Sequence, residues 1–234
     1  MSKKRIFIAA HYMEIGGAEI SLIGLLQSID YTLCDVDLFV YRHTGELMEF
    51  IPKEVNLLPE IGAYTQIECP LRHTLFSRYW RIGVARLQAK WLFWRYRRRS
   101  GADVSHAYFQ YMADCITPHL PSLKGYGTYD LAINFIGMMN VVRDKVDARK
   151  KITWIHTDYS TVKLNAELEL PVWRSFDCIA SISPDVTKTF LKTFPSLTPK
   201  IIEIENILSP EFVRRRADLF SAEDELASYC TRGG

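Results

Sequence analysis

Short strand-like runs recur along this chain, at Ile6–Ala10, Val36–Tyr41, Val55–Leu58, Tyr129–Phe135, Lys151–Ile155, Cys178–Ile182 and Lys200–Glu205. Several are continuously apolar, as strands buried on both faces of a parallel sheet are. Helical patterns fall between them. Ala18–Ile29 carries Ile20, Ile23, Leu26 and Ile29 at helical spacing, and residues 71–100, 106–119 and 138–148 also read as helices. Thr44 is placed to cap a short helix through Phe50, and Ser183-Pro184-Asp185 is a helix start with a cap, a proline and an acid. Strand and helix alternating from end to end predict an α/β fold with a doubly wound parallel sheet.

In such sheets ligands sit outside the carboxyl ends of the strands. The polar residues expected there are His11, Gly16, Gly17, His156, Thr157, Asp158, Ser183 and Asn206. Gly16 and Gly17 stand where the first strand crosses to its helix. Paired glycines let backbone amides approach a ligand, and a helix start adds free N–H groups and partial positive charge, which suits a phosphate. Glu19 in the first turn would repel that phosphate, and a tight turn needing positive φ explains the same glycines. His156 ends the fifth strand. There a neutral imidazole can bond a sugar hydroxyl or act as a base, or simply be a half-buried histidine bonded to backbone. A close Asp158 would raise its pKa.

A nicotinamide-type Rossmann site wants G-x-G-x-x-G after the first strand and an acid at the end of the second. This chain offers only Gly16-Gly17, and its second strand ends in Tyr41-Arg42-His43, which argues against NAD.

Charge is unevenly spread. The chain carries a net +2, yet residues 69–102 hold eight arginines, one lysine and no acid, so the remainder sums to −7. Within Leu71–Ser100, Trp80, Val84, Leu87, Trp91 and Trp94 fall within about 80° of one another on a helical wheel. Most arginines, Arg86 and Arg97 among them, lie outside that stripe. Two readings stand: a helix packing its tryptophans on the sheet with a solvated basic back, or an interfacial helix with Trp80, Trp91 and Trp94 at the acyl boundary and arginines on anionic headgroups. No nucleic-acid-binding motif accompanies the charges.

The five cysteines are scattered, form no C-x-x-C pair and predict reduced thiols in a cytoplasmic protein without a metal site. The first apolar run is too short for a signal peptide, and no run approaches the roughly 18 residues of a spanning helix.

Four stretches in this order, Ile15-Gly-Gly-Ala-Glu19, Lys150–Asp158, Phe176–Asp185 and Lys200–Asn206, resemble the N-terminal half of a family 4 glycosyltransferase of the GT-B type. The resemblance covers residues 6–216. It implies a Rossmann-like, acceptor-side domain over residues 1–206 and a linker over 207–234 towards a donor-binding domain that the chain lacks. It further implies a retaining, metal-independent transferase that takes a hexose from a nucleotide-sugar such as UDP- or GDP-hexose. The acceptor would be a glycan or lipid-linked molecule in cell-surface polysaccharide synthesis. Gly16 and Gly17 would face the donor diphosphate. Many members place a catalytic histidine after the fourth strand, where this chain has Asn134-Phe135-Ile136-Gly137; His156, one strand later, is the replacement at hand. His11, Thr157, Asp158, Ser183 and Asn206 would touch substrate. No cofactor and no nucleic acid is implied; an anionic surface at the cytoplasmic face of the inner membrane is a further expected partner. The rival reading is a non-catalytic module that holds a glycan or a membrane surface.

Overall fold

The structure is a computed structural model that describes residues 2–100 and 106–218. Seven strands form a single, wholly parallel sheet in the order β3-β2-β1-β4-β5-β6-β7. They are β1 (Lys4–Ala10), β2 (Cys34–Val40), β3 (Asn56–Leu57), β4 (Tyr129–Asn134), β5 (Ala148–Ile155), β6 (Cys178–Ser181) and β7 (Ile201–Glu203). All seven expected strands are present. The chain builds outward from β1 to β3, then returns to lay β4 against the other side of β1. That reversal makes the carboxyl ends of β1 and β4 the switch point of the sheet, where the crevice of such folds opens.

Side chains alternate across β1 and separate two cores. Phe7 and Ala9 face a cluster built by α2 (Gly62–Thr65), α4 (Trp80–Ser100), α5 (Ala107–Ile116), α6 (Met139–Lys145) and α7 (Ala166–Arg174). Ile8 and Ala10 face the opposite way, onto α1 (Gly17–Ser28) through Leu22, Ile23 and Leu26. A third cluster joins Ile155 and Ile179 to Trp173 and to Phe190 of α8 (Pro184–Thr193). Helices on both faces make the fold a doubly wound, Rossmann-like α/β sheet.

Four local expectations differ from what is observed. The helix expected over 71–100 is two helices, α3 (Leu71–Leu75) and α4, because the Ser77 hydroxyl accepts the Tyr79 N–H at 3.0 Å and so offers the backbone an alternative to the helical ladder. The short helix ending at Phe50 is a 3-10 turn led by Gly45, and Thr44 does not cap it. Helix α6 stops at Lys145, and β5 starts three residues earlier than expected. Helix α7 escaped the sequence reading because Pro171 interrupts its pattern. Asn165 caps it by accepting the Leu168 N–H at 3.3 Å.

Residues 207–218, expected as the start of a linker, dock on the domain. Gly24 of α1 lies so close to the carbonyl of Ile207 that a Cβ there would overlap it. The final described helix, α9 (Pro210–Asp218), buries Phe212 with its ring 5.0 Å from that of Phe50. The rest of the expected linker, 219–234, lies outside the described residues, as does Cys230.

Candidate functional site

Two hollows open at the carboxyl edge of the sheet, on either side of Gly137. This residue follows β4 with φ of 119°, a backbone conformation that a side chain would strain. The smaller hollow, about 200 Å³, lies between the ends of β4 and β5 and is lined by Asn134, Phe135, Trp154, His156 and Thr157, among others. Strand β5 delivers His156 beside the chain leaving β4. Its Nε2 donates to the carbonyl of Phe135 at 3.0 Å, and its ring packs 4.7 Å from the Phe135 ring. A carbonyl only accepts, so the proton sits on Nε2 and Nδ1 is a bare acceptor. That Nδ1 is buried without a partner among the described residues.

Burial depresses the His156 pKa to about 4, the Phe135 bond opposing it. The imidazole is therefore neutral at physiological pH. The expected lift from Asp158 is not found. Its carboxylate instead closes a local turn by accepting the Ser160 N–H and hydroxyl, both at 2.8 Å, and those bonds hold its own pKa low. Asn134, at the end of β4, donates to the Thr153 hydroxyl at 3.1 Å, while its Oδ1 is buried and unpaired among the described residues. The small hollow thus carries two side chains with buried, unused acceptors.

The larger hollow, about 500 Å³, lies between the sheet edge and helices α4, α5 and α7. His11 reaches it from the end of β1, wedged between the rings of Tyr12 and Tyr41, with Nε2 3.3 Å from Glu68. Burial lowers its pKa, and Glu68 pulls partly the other way. Gln110 and Glu169 also line this space. Glu169 is only 6% exposed, accepts the Trp173 indole N–H at 3.3 Å, and is pushed by burial to a pKa of about 7. Behind Gln110, Asp114 accepts from it at 2.9 Å and from Asn140 at 2.6 Å. None of these carboxylates and amides stood out in the sequence. Acids inside amphipathic helices look like solvated faces until the packing is known.

Gly16 and Gly17 begin α1, but neither has a positive φ, so the tight-turn explanation fails for them. Gly16 is extended and its Cα faces the Glu19 carboxylate, while Gly17 is open to solvent. Glu19 folds back to its own N–H and, largely through desolvation, keeps its pKa raised. An acid already covers the place considered for a phosphate.

Ser183 spends its hydroxyl on the α8 cap, accepting the Val186 N–H at 3.2 Å. Thr157 lines the small hollow, and Asn206 is exposed on the segment after β7. The sheet edge therefore brings His156 and Thr157 together, holds His11 in the neighbouring space, and leaves Asp158 and Ser183 in local turns and caps.

The basic helix separates its residues differently from the core-packing alternative. Trp80, Trp91 and Trp94 are 52%, 53% and 51% exposed, and Val84 and Leu87 are also exposed between them. The buried face is the opposite one, Ile82, Ala85 and Ala89, while Gly83 is buried at the stripe's flank against Leu75. Arg86, expected with the headgroup-facing arginines, turns inward and donates to the carbonyls of Gln66 at 3.0 Å and Cys69 at 2.6 Å. Arg97 is exposed. No helix of the described residues is long and apolar enough to cross a membrane. Among the same residues no cluster of three or more His, Cys, Asp or Glu is placed to hold a metal ion.

No protein-family model matches this sequence, and no curated protein matches it.

Proposed function

We propose that this chain is the acceptor-side domain of a retaining glycosyltransferase that moves a hexose from a nucleotide-sugar to a glycan or lipid-linked acceptor. It would work at the cytoplasmic face of the inner membrane. The observation that carries this reading is the pair of acceptors unpartnered among the described residues, Asn134 Oδ1 and His156 Nδ1, in residues lining one hollow between β4 and β5, beside the switch point. Buried acceptors without partners are costly; both atoms are closed off in this conformation, and a ligand whose binding shifts these side chains would bring hydroxyl donors that remove the cost. Sugars are dense in such donors. The larger hollow has the matching chemistry: Glu68 and Glu169 accept hydroxyls, and Tyr12, Tyr108 and Tyr159 give apolar ring surface.

In this reading His156 holds a sugar hydroxyl through Nδ1. A pKa near 4 leaves it neutral and a weak base, so hydrogen bonding fits it better than proton transfer. Catalysis then rests on stabilising the departing diphosphate and the oxocarbenium-like sugar. Gly16 and Gly17 reach the diphosphate once the Glu19 side chain swings away.

That covered helix start is also the observation favouring the rival, a non-catalytic module that holds a glycan and has no diphosphate to accommodate. The deciding experiment follows a labelled hexose from UDP- and GDP-hexoses to extracted membrane glycans, using the native gene product at its natural length. Transfer with retained anomeric configuration, unaffected by EDTA, is expected. Glycan binding without turnover of any nucleotide-sugar would hand the site to the rival.

A further inference from the structure

Among the described residues the α4 surface is left without a partner, and its chemistry says what covers it. Trp80, Val84, Leu87, Trp91 and Trp94 make one exposed stripe, about 21 Å long at the rise of an α-helix, with Phe76 before it 94% exposed. Helix α4 is already anchored by its opposite, small-residue face and by Arg86, so the stripe is not a core face that slipped outward. Cations border it. Arg81 lies 5.7 Å from the Trp80 ring, Arg95 5.4 Å from Trp91 and Arg98 4.2 Å from Trp94. Arg97, Arg99 and Lys90 are exposed on the same helix, and residues 69–102 contain no acid to neutralise them.

We propose that this face of α4 docks on an anionic lipid bilayer, the helix lying in the interface with its indoles at the headgroup–acyl boundary and its arginines on lipid phosphates. The transferase reading names a membrane location; this inference names the surface and the lipid chemistry, and it does not depend on sugar transfer. Indoles are the side chains that favour that boundary, and arginines flanking them gain from the surface potential of anionic lipids. Two other occupants fit less well. A second copy of the chain would set this uncompensated positive face against itself, which like charges oppose. A nucleic acid could use the arginines and stack on indoles, but Val84 and Leu87 between the rings offer it nothing, whereas acyl chains take up aliphatic surface.

Tryptophan emission reads this docking directly, because Trp154 and Trp173 are buried and the other three indoles lie on α4. The purified protein is mixed with phosphatidylcholine vesicles with and without about 30% phosphatidylglycerol, at low and high salt. Binding with a blue shift on the anionic vesicles only, lost at high salt, is expected. Replacing Arg95, Arg97 and Arg98 by glutamine should weaken that binding on the order of a hundredfold. The pair Trp91→Ser/Trp94→Ser should abolish the shift, with melting temperatures of both variants measured to confirm folding. The proposal is overturned by an absence of binding to anionic vesicles. Equal binding to neutral vesicles that ignores the arginine changes would also overturn it. So would tighter binding to polyuridylate RNA than to vesicles, or a dimer that the serine pair dissolves while vesicles leave it untouched.

Discussion

His156 and Glu169 face the same edge of the sheet but are mistuned in opposite senses, and each gives a test. An unfolded histidine takes up a proton below about pH 6.5, whereas buried His156 resists until about 4. Its folded pKa is depressed, so it costs the protein stability as pH falls through that window. Glu169 holds its proton up to about 7 when folded, while an unfolded glutamate releases it near 4.5. Stability is therefore lost as pH rises between those values. Glu169→Gln keeps an acceptor for the Trp173 indole and removes the charge. The variant should match wild type near pH 4 and exceed it at pH 8 by on the order of 2–3 kcal/mol, read by denaturant unfolding at each pH. A constant offset across pH would show that Glu169 is not desolvated as described. For His156, substitution by alanine in the native gene product should lower the rate of hexose transfer per folded molecule about a hundredfold, with a modest fall in melting temperature from the lost Phe135 bond. His156→Asn should recover part of the rate, because a hydrogen bond survives there and proton transfer does not. An alanine variant with full activity per folded molecule removes His156 from the site.

Elements were legible where local pattern and tertiary packing agree. The β1 and β6 runs are apolar because both of their faces are covered, and Ser183-Pro184-Asp185 starts α8 with the expected cap. They were illegible where a side chain redirected the backbone, as Ser77 does between α3 and α4, or where a proline masked a capped helix, as in α7. The α4 wheel showed the tryptophan stripe but not its direction, since an apolar stripe is equally consistent with core and interface. Only the burial of the opposite Ile82, Ala85 and Ala89 face, mostly too small to look like a packing surface, told which side is covered. Glycines divide in the same way. Gly24→Ala gains about 1 kcal/mol of helix propensity. It also places a methyl in the Ile207 carbonyl, an overlap with backbone that costs about 1–3 kcal/mol, so net destabilisation is expected. Gly17→Ala meets no atom and should be neutral to slightly stabilising. Thermal unfolding of the two variants side by side checks both signs, and a stabilised Gly24→Ala would mean that the 204–209 segment does not cross α1 so closely.

Across the whole molecule, fold class was the most legible feature because it depends on the order of runs rather than on any one residue. The site was less so. Its position follows from the sheet order, but the unpaired acceptors of Asn134 and His156 and the buried Glu169 arise from packing that no spacing encodes. Both hollows belong to one sheet edge, and a transferase of the proposed type brings a donor-holding domain against that edge to enclose the reacting groups. Closure matters because it excludes water and completes the set of groups around the transition state, and neither follows from one wall alone. Residues 1–234 as an isolated polypeptide should therefore unfold cooperatively, through the three cores joined across the sheet, and yet transfer no hexose from UDP- or GDP-hexose. Supplied with a donor-holding domain of the proposed kind, the same polypeptide should gain transfer in proportion to complex formed. Measuring product and melting temperature on one preparation separates an incomplete site from an unfolded domain. Turnover by residues 1–234 alone would mean that the cavity edge by itself is the active site, and the closing domain would have to be abandoned.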